Sequence, residues 1–111
     1  MIPVEKQGAV CVVRPQVPLA GDNCAKVRAA ALNGLGSGRP MLVIDLQQTP
    51  LMDGAGLETL VELREKIEAR GGSVKLAAVN ALCADILRVT GVGDKFEQYS
   101  VLKSAVGSFA E

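Results

Sequence analysis

The sequence contains no histidine and no tryptophan, and its only aromatic residues are Phe96, Tyr99 and Phe109. The missing histidine excludes Ser-His and Cys-His nucleophile pairs, imidazole general bases and imidazole metal ligands together. With so few rings, a base-stacking nucleic-acid surface is poorly furnished, and the core must be built from aliphatic side chains. An excess of charge is also absent. Twelve Lys plus Arg balance twelve Asp plus Glu, and no run of Lys or Arg occurs. Clustered positive charge is what holds phosphate backbones and anionic bilayers, so nucleic acid and membrane surfaces are not expected partners. Cys11, Cys24 and Cys83 are odd in number, widely spaced and form no CxxC. That pattern argues against a disulfide framework and a zinc site. The expectation is three small buried hydrophobes in a reducing cytosol, with a redox switch as the alternative. The first residues, Met-Ile-Pro-Val-Glu, carry no basic segment and no long apolar stretch. Neither a signal peptide nor a spanning helix is read there, and a cytoplasmic protein is expected.

What is present suits one globular domain over residues 1–111. Hydrophobic residues make up 49% and charged residues 22% of the chain, a balance that supports a buried core and argues against disorder. For this length a compact radius of gyration of about 13 Å is expected. Ile2 to Lys6 and Ala9 to Arg14 read as a hairpin about Gln7-Gly8. Pro15 and Pro18 end the pairing, since proline has no N–H to donate. Asp22-Asn23 offers capping side chains to a helix from Cys24 to Leu35, with Cys24, Val27, Ala31 and Leu35 at helical spacing. Met41 to Leu46 (MLVIDL) is an almost continuous apolar run, as in a strand covered on both faces.

Leu57 to Ala69 is the plainest helix. Leu57, Leu60, Val61, Leu63 and Ile67 share one face, and Glu58, Glu62, Glu65 and Lys66 the other. Glu62 and Lys66 are spaced to pair. Gly71-Gly72 ends the helix. Strand Ser73 to Ala78 follows. Asn80 then caps a helix through Thr90 whose apolar residues are Leu82, Ile86, Leu87 and Val89. Gly91-Val92-Gly93 closes that helix, and a strand near Phe96 to Tyr99 and a helix from Val101 to Phe109 complete the chain. The order β-β-α-β-α-β-α-β-α predicts an α/β fold with a small mixed, mainly parallel sheet and one antiparallel edge.

Candidate chemistry is sparse. Gly54-Ala55-Gly56 has two glycines of the dinucleotide fingerprint, but Thr59 stands where the third belongs and the preceding link is too long. Backbone N–H groups at this helix start can hold an anion. A side-chain-poor segment can instead admit another protein closely, while Asp53 caps the helix in either case. Asp45, Asp53 and Glu58 show no recognisable metal spacing. A lone carboxylate in a strand, such as Asp45, is more often satisfied by backbone donors than catalytic. No enzyme, no cofactor and no metal are therefore expected. Nucleotide binding near Gly54 is the enzyme-or-sensor alternative.

The stretch MLVIDLQQTPLMDGAGLETLVELREKIEARGG, followed by SVKLAAVN and ILRVTGVGDKF, resembles the STAS domain of bacterial anti-sigma-factor antagonists and sulfate-transporter tails. The resemblance covers most of the chain and is weakest before residue 25. It implies the fold order above and a regulatory module that binds an anti-sigma factor carrying a histidine-kinase-like ATPase domain, thereby freeing a sigma factor for transcription. In that family the kinase phosphorylates the second Ser of an Asp-Ser-Ser-Gly segment. The matching residues here are Asp53, Gly54, Ala55 and Gly56, and Ala55 has no hydroxyl to modify. Thr49, Thr59 and Ser100 are other hydroxyls outside the motif. Before the first helix the family often has Gly-x-Leu-Asp; this chain has Val17-Pro18-Leu19-Ala20, with Asp22 the nearest acid. The implied partner surface comprises Gln47 to Gly56, the exposed face of the next helix, and Pro18 to Asn23. Its candidate contacts are Leu19, Asp22, Gln48, Thr49, Asp53, Gly54, Ala55, Gly56, Glu58, Thr59 and Glu62. Relatives that serve lipid-transport ATPases, chemotaxis or stress assemblies give the alternative partner.

Overall fold

The computed structural model describes residues 2–110. Its framework is a five-stranded sheet in the order β1-β2-β3-β4-β5, from β1 (Val4–Gln7), β2 (Val10–Val13), β3 (Met41–Asp45), β4 (Ser73–Ala77) and β5 (Glu97–Tyr99). β1 pairs antiparallel with β2 across the Gly8-Ala9 turn, and every later neighbour pair is parallel. The expected mixed, mainly parallel sheet with one antiparallel edge is what forms.

The continuous apolar strands follow from cover on both faces. Successive side chains alternate between faces. Cys11, Val13, Leu42, Ile44, Val74 and Leu76 enter the larger core. Val10, Val12, Val43 and Ala77 enter a smaller one on the opposite side. Helices α1 (Asn23–Asn33), α2 (Gly54–Ala69) and α3 (Ala81–Thr90) close the larger core through Cys24, Val27, Ala31, Leu60, Leu63, Ile67, Cys83 and Leu87. Helix α4 (Leu102–Ser108) covers the smaller core with Ala105, and Leu102, Val106 and Phe109 pack beside it. All three cysteines are buried and unpaired. The Cα radius of gyration is 12.5 Å.

Several local expectations change. Helix α2 starts three residues before Leu57, because Asp53 caps it and Gly54-Ala55-Gly56 forms its first turn. Asp22 precedes α1 without a capping bond, while the Asn23 side-chain amide donates to the Pro18 carbonyl at 3.0 Å. Glu62 pairs with Arg28 at 3.2 Å rather than with Lys66, and the i,i+4 pair on α2 is Arg64–Glu68 at 3.2 Å. On α3 the inward residues are Cys83 and Leu87, whereas Leu82 and Val89 are exposed. After Gly91, which ends α3 in the left-handed region at φ 77°, the chain makes a 3₁₀ turn (Val92–Lys95) that the sequence reading omits. This turn delivers Phe96 to the larger core.

Candidate protein-docking site

Parallel strands place their C-terminal ends, and the N-termini of the following helices, at one pole. Here the β3–α2 connection, residues 46–53, is fixed by side chains that satisfy its backbone. The Asn80 amide donates to the Leu46 and Thr49 carbonyls at 2.9 and 2.7 Å, while its oxygen accepts from the Cys83 N–H at 3.0 Å, capping α3. The Thr49 hydroxyl donates to the Pro15 carbonyl at 2.9 Å. Asp45 accepts from the Gln47 N–H at 3.0 Å and lies 3.6 Å from Arg14, which also pairs with Glu5. These two contacts orient the Asp45 carboxylate at the end of β3.

The loop before α1 is stapled to the same connection. Leu19 and Met52 form an isolated parallel bridge, with the Leu19 N–H donating to Leu51 at 2.9 Å and the Asp53 N–H donating to Leu19 at 3.3 Å. Gly56 lies against this bridge. A Cβ on it would sit 1.9 Å from the Leu19 carbonyl oxygen, so the close approach of α2 to the loop requires glycine. The Asp53 carboxylate accepts from the Gly56 N–H at 2.8 Å. It thereby places negative charge at the helix end that would otherwise attract an anion. Thr59 donates to the Ala55 carbonyl at 2.9 Å and accepts from Arg28 at 3.4 Å.

These contacts divide the expected residues in two. Asp22, Gln48, Asp53, Gly54, Ala55 and Glu58 are exposed, and Glu62 is partly exposed and tied to Arg28. Leu19, Thr49 and Thr59 are fully buried and Gly56 is buried. These four lie beneath the exposed residues and support them from inside the fold. The sequence reading missed Asn80 as the tie between connection and α3, and Arg28 as the link from α1 to α2. A capping Asn at position 80 was visible, but its second set of bonds depends on the tertiary path of residues 46–49. Burial raises the thiol pKa of Cys11, partly offset by the charge of Lys6. Burial also raises that of Cys83, partly offset by a hydrogen bond from Asn80. The Cys83 thiol accordingly stays protonated and donates to the Thr49 carbonyl at 3.4 Å. Among the described residues no Cys, Asp and Glu side chains converge in threes, and no helix is long and apolar enough to cross a membrane.

The fold and this pole together define a small α/β domain that presents a rigid, side-chain-poor helix start. The family model described as the STAS domain matches residues 1–105, and the chain belongs to that family. Among solved structures it is similar to an anti-sigma-factor antagonist (STAS) domain protein from Planctomyces limnophilus, at 21% identity and a TM-score of 0.86, covering 99% of this chain and 98% of that one. An anti-sigma factor antagonist from Mycobacterium paratuberculosis matches at 23% identity and a TM-score of 0.83, covering 100% and 94%. The murine anion transporter Slc26a9 matches at 19% identity and a TM-score of 0.79, covering 92% of this chain but 18% of the transporter. At these identities the likeness establishes the fold. No curated protein matches the sequence significantly.

Proposed function

We propose that this chain is a single-domain, cytoplasmic, non-enzymatic binding module of the anti-sigma-factor-antagonist type, whose docking pole is not switched by phosphorylation at residue 55. The observation that carries the reading is Ala55 itself: exposed, uncharged and without a hydroxyl, on the first turn of a helix pinned by Asp53 and Leu19. The direct contacts are Asp22, Gln48, Asp53, Gly54, Ala55, Glu58 and Glu62. The partner is an anti-sigma factor with a histidine-kinase-like ATPase domain, the class bound by the antagonists that the family resemblance implies. A phosphoryl group at the equivalent position adds about −1.5 to −2 charge, and Ala55 keeps that charge permanently absent.

The test is capture of the partner from the native cell, followed by affinity measurement. Ala55→Asp is expected to weaken binding at least about tenfold, roughly 1.4 kcal/mol. Ala55→Ser is expected to acquire phosphate from a partner kinase. An affinity indifferent to Ala55→Asp removes the surface assignment. The second reading is a subunit of a lipid-transport ATPase complex or of a chemotaxis or stress assembly; that the fold also occurs within an anion transporter favours the transport arm. Co-purification of an integral membrane transporter would select it.

A further inference from the structure

Two stripes run side by side along α2. Leu57 and Val61, one turn apart, stay half-buried and with Val92 of the 3₁₀ turn floor a groove of about 380 Å³. Glu58, Glu62 and Glu65 form its rim, and no Lys or Arg lines it. Glu62 is held by Arg28, whereas Glu58 and Glu65 are exposed and have no ion-pair partner among the described residues. Glu58 and Glu65 stand about two turns apart on the helix, so each can take a separate cation. The arrangement therefore couples an unfilled apolar floor to two unpaired carboxylates that a cationic occupant would neutralise.

We infer that this groove receives a cationic amphipathic helix of the partner, with apolar residues at helical spacing seated on Leu57, Val61 and Val92 and Lys or Arg side chains against Glu58 and Glu65. The inference rests on the docking reading above and assigns that partner a chemistry. A second copy of the chain does not fit, because a two-fold contact through the groove would set one acidic rim against another. An anionic lipid surface is repelled for the same reason.

The full chain is titrated with a fluorescent 14-residue helix of alternating Leu and Lys faces, and with its Leu-Glu counterpart. The Leu-Lys probe is expected to bind saturably, one per chain, and to perturb backbone amide resonances of residues 57–65 and 92. Val61→Lys and the double variant Glu58→Lys/Glu65→Lys are expected to weaken it at least tenfold. Glu68→Lys, the same charge change outside the groove, is expected to leave it within twofold, and the Leu-Glu probe is expected not to bind. Absence of binding, perturbations elsewhere, or groove variants that bind like the unaltered chain would overturn the inference. Self-association of the chain that Val61→Lys abolishes would assign the groove to a second copy and overturn it as well. If the probe fails while Ala55→Asp still weakens the native partner, the groove assignment alone falls. If the probe binds as expected and the partner ignores Ala55→Asp, the reading of the helix start alone falls.

Discussion

A methyl group at residue 56 has nowhere to go: its carbon would sit 1.9 Å from the Leu19 carbonyl oxygen and 3.0 Å from the carbonyl carbon. Because the obstacle is backbone, relief requires α2 to move off the loop. Gly56→Ala is expected to cost about 3 kcal/mol, at the upper end of ordinary overpacking, read as a lower urea midpoint. Gly54, two residues earlier, has open space where its Cβ would be and is the matched control. The buried thiols make a second prediction. In the folded chain Cys11 and Cys83 hold their protons more tightly than exposed thiols, chiefly through loss of solvent. The unfolded chain therefore loses these protons first as pH rises. Their contribution to stability is complete below the ordinary thiol value of 9.0 and is lost as pH climbs from there through the raised folded values. Urea midpoints measured from pH 7 to pH 10 should fall at the alkaline end, and less steeply in Cys83→Ala.

Among the elements, the starts of α2 and α3, at one pole of the sheet, carry unequal loads. Asp53 satisfies one N–H of α2, so Asp53→Ala is expected to cost about 1 kcal/mol. Asn80 caps α3 and also serves the Leu46 and Thr49 carbonyls, so Asn80→Ala should cost about 2 kcal/mol or more, because it removes the cap together with two further hydrogen bonds. Thermal or urea unfolding of the two variants side by side checks the ranking. The same elements show what a sequence can disclose. MLVIDL reads as a covered strand because an almost continuous apolar run demands cover on both faces, and α2 reads as a helix because Leu60, Leu63 and Ile67 keep its period. Its first turn does not, since Gly-Ala-Gly has little helix propensity and only the Asp53 cap makes it helical. The burial of Leu19 and Gly56 is not legible in the sequence because it comes from two loops distant in sequence meeting at the Leu19–Met52 bridge, and that of Thr49 and Thr59 because their hydrogen-bond partners Pro15, Asn80 and Arg28 lie on other segments. On α3, the apolar residues Leu82 and Val89 are exposed. The helix sits at the margin of the sheet and turns only Cys83 and Leu87 fully inward.

At the scale of the whole molecule, three helices bury one face of the sheet and a seven-residue helix alone buries the other. That last helix has no side-chain cap, and a lysine anchors it. Lys75, 7% exposed, donates to the Ser108 hydroxyl at 2.7 Å, lies 3.5 Å from Glu97 and stands 4.2 Å from the Phe109 ring centroid and 5.6 Å from that of Tyr99. So small a cover is expected to open before the larger core does. Native-state hydrogen exchange should show lower protection in α4 than in α1–α3, and Lys75→Ala should lower protection in α4 selectively. Uniform loss across all helices would contradict this division.

Every native sulfhydryl of the chain lies inside the protein, and at least two of them resist ionisation. A maleimide dye offered to the folded chain therefore has nothing to react with, and a cysteine introduced at exposed Ser37, in the loop that precedes β3 at the pole opposite the α2 start, becomes the one attachment point for a fluorophore or surface tether. Encounters at the far end can then be timed one molecule at a time, without removing any wild-type cysteine.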